Sequence, residues 1–128
     1  MQAYIVPATD ETPAINLDSD SHLLQIIGVS LPENVQAFFK PIIKWIRTFL
    51  KSATQPVVVK IHLDYFNTAT SKSLMEFFFL LHDFKVKGVD IKVIWLYYSD
   101  DEDLQDSGED FASLVDVPFE FVALDPDL

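Results

Sequence analysis

The chain has 128 residues, nine basic and 20 acidic side chains, a formal charge of −11, an apolar fraction of 49% and no cysteine. One domain, residues 1–128, accounts for that length, and a chain of this size buries about two-thirds of its unfolded surface. Disulfides and thiolate metal centres are excluded, a reducing cytoplasm is the expected setting, and nucleic acid is not an expected partner because the net charge repels polyanions.

The opening "MQAYIVPATDETPA" carries no basic stretch followed by an apolar core, so no signal peptide is expected. It reads as short strand pieces, "AYIVPA" and "PAINL", around the polar "TDET". "HLLQIIG", His22 to Gly28, reads as a strand ending at a glycine, and "SLPEN" as a turn into a helix capped by Ser30 or Asn34. From Val35 to Leu50 apolar residues recur at steps of three and four, one helical stripe. Pro41 stands inside it, where a proline loses the hydrogen bond to residue 37, so a kink or short break is expected. Lys40, Lys44, Arg47 and Lys51 fall mainly on the other side. That basic face is either simply solvated or meets an acidic partner.

"QPVVVKIHLDYF" is β-branched and apolar, as a buried central strand requires. Beyond it Leu74, Phe77, Phe78, Leu81 and Phe84 repeat at helical spacing. Met75, Phe79 and Leu80 widen the stripe, so this helix is expected to be covered on more than one side until Gly88 ends it. "VDIKVIWLYY" reads as the next strand and "SDDEDLQDSGEDFASLV" as a third helix with carboxylates near its positive end. "PFEFVAL" closes as a strand. The richest apolar run, "LMEFFFLL", is far short of the roughly 20 residues that span a bilayer, so membrane insertion is not expected. The alternation predicts an α/β fold with a mostly parallel sheet, an antiparallel N-terminal edge and about three helices.

No catalytic constellation is legible. His22, His62 and His82 lack the spacing of a metal pair, and each reads as a surface or satisfied buried histidine. The run Asp100, Asp101, Glu102, Asp103, Asp106 fails a calcium loop, because Asp106 stands where the sharp turn needs glycine. Three scattered glycines make no phosphate cradle and no G-x-S-x-G elbow. No cofactor is expected.

One junction stands out. Asn67, Thr68, Ala69, Thr70, Ser71 and Lys72 lie where a strand ends and a helix begins. The first N–H groups of a helix lack partners and its dipole favours negative charge, so a threonine or serine cap explains the hydroxyls. The same physics suits a phosphate, which adds about −1.5 to −2 charges and confronts any docked partner with a new dianion. Both readings fit the residues at this junction.

Seven segments in order, "TPAI", "GVSLPEN", "FFKPIIKWI", "YFNTATSK", "WLYYSDDED", "GEDF" and "PFEF", resemble the SiaC-type regulatory phosphoproteins of bacteria over nearly the whole chain. The resemblance implies a STAS-like fold and a partner-switching role without enzymatic activity. A serine/threonine kinase would phosphorylate the chain, a PP2C-type phosphatase would reverse this, and the unmodified form would bind and activate a diguanylate cyclase or similar effector. By position, the acceptor of the family's Asn-Thr-Ser-Ser motif is Thr68, after Asn67. Ala69 and Thr70 replace the two serines, which leaves Thr70 and Ser71 as fallback acceptors, with Lys72 a charge neighbour. Leu31 stands where the family usually has tyrosine. Candidate partner surfaces are the loop Ser30, Leu31, Pro32, Glu33 and Asn34, and the acidic segment from Asp100, Asp101 and Glu102 onward to Asp110. The rival expectations are a small enzyme or ligand-binding domain with a pocket near the same junction, or an acidic interaction module that is never phosphorylated.

Overall fold

In the computed structural model, which describes residues 1–127, the period-two segments pair into one six-stranded sheet and the period-3.6 segments form three helices. The elements are β1 (Tyr4–Val6), β2 (Ala14–Asp18), β3 (Leu23–Ser30), α1 (Val35–Leu50), β4 (Val57–Phe66), α2 (Thr68–Val86), β5 (Ile91–Tyr98), α3 (Glu102–Ser113) and β6 (Phe119–Leu124). Strand order across the sheet follows chain order. β2 runs antiparallel to both β1 and β3, while β3 to β6 run parallel. The α/β fold with an antiparallel N-terminal edge and three helices is therefore the one the alternation predicts.

Because each parallel crossover steps in the same direction, right-handed connections bring all three helices to one face. Alternate strand residues point there: Val57, Val59, Ile61 and Leu63 of β4, and Ile91, Val93, Trp95 and Tyr97 of β5, are buried. α2 lies between its neighbours in the helix layer. Its Phe78 ring sits 5.0 Å from Phe111 of α3 and 5.2 Å from Phe119 of β6, and α1 packs along it. This explains why its apolar stripe is wide, although Phe79 still faces solvent.

Two expectations need correction. Of the kink or short break expected at Pro41, the break does not occur: α1 is one continuous helix through it. The carbonyl that loses its donor belongs to Ala37, which is exposed, so water can satisfy it. His22 and His62 are not satisfied histidines: His22 Nδ1 and His62 Nε2 are buried with no hydrogen-bond partner among the described residues. His62 Nε2 lies 3.6 Å from the Asp64 carboxylate, too far for a hydrogen bond. His82 does conform, its Nδ1 accepting from the Asp116 amide at 2.9 Å.

The ladder between β3 and β4 slips once. Gly28 opposes Leu63 but Val29 opposes Tyr65, leaving Asp64 as the extra residue of a bulge. Gly28 has φ +132, a conformation that favours glycine. A one-residue slip exchanges the faces. Beyond it Tyr65 is exposed, while Phe66 turns inward to meet Trp95 and Phe111.

α3 is held down by Trp95. The indole Nε1–H donates to the Leu104 carbonyl at 3.0 Å, and Gly108 lies over the ring. A Cβ on Gly108 would sit 2.5 Å from Trp95 Nε1 and 2.6 Å from Cδ1. Alanine would gain about 1 kcal/mol of helix propensity, but overpacking a fixed ring costs about 1–3 kcal/mol. The ring is 1% exposed and cannot swing away. Gly108→Ala is therefore expected to lower stability by about 1–2 kcal/mol, read as a lower urea midpoint at unchanged m-value.

Candidate regulatory site at the start of α2

The ends of β3 and β4 are neighbours in the sheet, so the first turns of α1 and α2 emerge side by side. Each is capped by an asparagine. Asn34 Oδ1 accepts from the Ala37 amide at 3.1 Å, and Asn67 Oδ1 accepts from the Thr70 amide at 2.8 Å. Both caps have extended backbone, the usual N-cap geometry. Thus neither Ser30 nor a threonine caps a helix here.

The hydroxyls divide sharply. Thr70 and Ser30 are 0% exposed. The Thr70 hydroxyl donates to the Ser30 carbonyl at 3.1 Å and lies 2.9 Å from Ser30 Oγ. With its one proton used on the carbonyl, Thr70 accepts from the Ser30 hydroxyl, and both groups are satisfied. The Asn67 amide donates to the same Ser30 carbonyl at 3.3 Å. Buried and occupied, Thr70 is no accessible acceptor, which removes it as a fallback. Ser71 is half-buried, and Thr68, the first helical residue, is exposed.

The same burial corrects the loop. Ser30 and Pro32 point inward, Leu31 is half-buried, and only Glu33 and Asn34 are exposed. A shallow hollow joins this loop to Asn67 and Ala69. In the acidic segment Asp101 is itself a cap, accepting from the Leu104 amide at 3.0 Å, with Glu102 and Asp103 in the first turn of α3. Asp100 and Glu102 are exposed at the end of β5, and this cluster lies outside the groove described next.

That groove, of about 940 Å³, runs between α1 and α2 with Thr68 in its wall. Its floor is Val35, Phe39 and Ile43, and its rim carries Lys40, Lys44 and Arg47 from α1 and Lys72 from α2. The periodic basic face of α1 is visible in the sequence. That it shares a groove with Thr68 is not, because only the packing of two helices creates it. No grouping of three or more histidine, aspartate or glutamate side chains suited to a metal occurs among the described residues. No described helix is long and apolar enough to cross a membrane.

The sheet thus presents an exposed threonine at the mouth of α2 beside a basic groove, an arrangement suited to regulated binding. Residues 6–124 match the model of the SiaC family regulatory phosphoproteins, and the chain belongs to that family. It is a regulatory protein, not an enzyme. It is 31% identical over 120 residues to an uncharacterized protein of Pseudomonas aeruginosa (strain UCBPP-PA14), covering 94% of this chain and 95% of that one. Its fold is similar to the crystal structure of apo-SiaC from Pseudomonas aeruginosa, with TM-score 0.89 and 30% identity over 96% of this chain and 100% of that chain. It also matches a chain in the crystal structure of diguanylate cyclase SiaD in complex with its activator SiaC from the same species, with TM-score 0.90 and 30% identity over 94% of this chain and 99% of that chain.

Two side chains at this junction carry separable structural tasks. Thr70→Val keeps the shape but leaves the Ser30 hydroxyl and carbonyl short of a partner, an expected loss of about 1–3 kcal/mol. Asn67→Ala removes the cap, an expected loss of about 1 kcal/mol. Urea unfolding of each single variant checks both values.

Proposed function

We propose that this chain is the switchable component of a cytoplasmic partner-switching system, with Thr68 as its reversible phosphoacceptor. A serine/threonine kinase adds the phosphate and a PP2C-type phosphatase removes it. The unmodified chain binds and activates a diguanylate cyclase. The observation that carries this reading is the division of labour at the junction. Asn67 makes the cap and Thr70 is buried in the fold, so the exposed Thr68 has no structural duty that phosphorylation would disturb.

Helix position supports it further. Thr68 follows the cap directly, where N–H groups lack partners and negative charge is favoured by about 0.3–1 kcal/mol at an exposed site. The folded chain thus tolerates the phosphate. Lys72, one turn on, shares the face of Thr68 and lies beside the added charge. Glu33 and Asn34 flank the docking surface from the α1 side. Asp100 and Glu102 flank it from the end of β5, while Asp101 is engaged in capping.

Two outcomes test this. On co-expression with the kinase of the same organism, intact mass should show one phosphoryl group on the wild type and none on Thr68→Ala, with thermal midpoints alike. Full incorporation into Thr68→Ala would move the acceptor to Ser71 and overturn the assignment. Thr68→Glu should weaken binding to the diguanylate cyclase of the same organism, read by calorimetry; equal affinity for wild type and variant would sink an electrostatic switch at this position.

A further inference from the structure

We infer that the α1–α2 groove receives an acidic helical segment of the effector, and that a phosphate on Thr68 disengages it by occupying the groove's own cations. This rests on the reading above, in which an effector docks beside Thr68, and it adds the chemistry of the docked segment.

Charge complementarity carries it. The whole chain holds nine cations and 20 carboxylates. The groove takes four of those cations, Lys40, Lys44, Arg47 and Lys72, and one carboxylate, Glu76. Four minus one leaves a local charge of +3 on a protein whose total is −11. A chance sample of such a surface would be negative. The field at Thr68 before modification is thus positive, and the segment it attracts is negative.

The shape of the rim indicates a helix. Lys40, Lys44 and Arg47 repeat at steps of four and three, so their side chains line one edge of α1 at a spacing of about 5–6 Å. Carboxylates at i, i+3 and i+4 of a facing helix have the same spacing. From Val35 to Arg47 the wall is about 18 Å long, enough for roughly three turns of a partner. The floor contributes less than its composition implies. Phe39 is 1% exposed and Ile43 6%, so little apolar area remains to be covered. Recognition by this groove is therefore mainly electrostatic.

The phosphate acts on the same cations. It brings about −1.5 to −2 charges, which reduces the groove from +3 to about +1 to +1.5. Lys72 is its neighbour one turn along α2, and Lys40 is the first cation of the α1 rim in the same groove. The incoming carboxylates then meet a like charge at the Thr68 end of the groove and lose the cations nearest it. Either effect alone would be weaker.

The test is calorimetry of the full chain with the diguanylate cyclase of the same organism. Lys44→Glu/Arg47→Glu should lower affinity at least about tenfold, as expected when like charges are set against each other. Lys60→Glu/Lys92→Glu makes the same charge change on the opposite face of the sheet and should lower it by less than about threefold. Wild-type affinity should fall at least about fivefold from low to moderate salt. Circular dichroism melts confirm that each variant folds. Equal losses from the two pairs, or salt-independent binding, would overturn an acidic occupant while leaving the Thr68 switch intact. Self-association of the free wild type in sedimentation, abolished by Lys44→Glu/Arg47→Glu, would assign the groove to a second copy and likewise overturn it. A wild-type chain that does not bind the cyclase at all would instead refute the functional reading on which the inference stands.

Discussion

The buried hydroxyl pair between Ser30 and Thr70 fixes the geometry on which the regulatory site depends. It ties the last residue of β3 to the first turn of α2, and the Asn67 backbone N–H adds a third bond, the second to the Ser30 carbonyl. An α-helix advances about 100° per residue, so residues two apart point to nearly opposite sides. With Thr70 pinned inward at 0% exposure, Thr68 must face out. Lys72, four residues on from Thr68, returns to nearly the same direction. One pair of hydroxyls in the interior therefore sets both the exposure of the acceptor and the identity of its charged neighbour.

The phase of α2 depends in turn on the bulge at Asp64. Without the extra residue, strict alternation from Leu63 would bury Tyr65 and expose Phe66. The slip reverses this, sending Phe66 to Trp95 and Phe111 and placing Asn67 where its amide reaches Ser30. The chain then enters α2 with Asn67 extended at the cap position. A deletion that restored regular pairing would expose Phe66 and misplace the cap in a single step. Gly28 on the facing strand belongs to the same device, because its positive φ lies beside the register shift.

Most of the fold was legible because the strongest signals are periodic. The stripe of Val35 to Leu50 and the β-branched run at Val57 read directly as a helix and a strand, and each element lies within a few residues of its expected bounds. The hydroxyl cluster was legible as a junction but not as a division of labour. Ser, Thr and Asn are all good caps, so sequence alone could not say that Asn67 would take the role. Nor could it say that Ser30 would turn inward, since its partner Thr70 is 40 residues away. Pro41 misled because the cost of a mid-helix proline depends on whether the orphaned carbonyl reaches water, which burial decides. That Lys40, Lys44 and Arg47 share a groove with Thr68 belongs to tertiary packing and has no local signature.

Net charge is a poor guide to what a site attracts. Read as a whole, the chain is strongly acidic, and a phosphate on it looks like one negative charge among many. Within a Debye length of about 8–10 Å at ordinary salt, however, an exposed group feels chiefly its own neighbours. Thr68 shares its groove with Lys72, one turn along its own helix, and with the basic rim of α1 that begins at Lys40. The distant carboxylates act differently. They suppress non-specific association with other acidic proteins at long range, so that only a segment able to reach the groove gains from its cations. A modification placed among those cations changes the sign-determining charges of the contact, whereas the same phosphate on the acidic face at Asp100 to Asp103 would add to a repulsion already present. The position of the hydroxyl within the local field, rather than the charge of the chain, is what makes it effective as a switch.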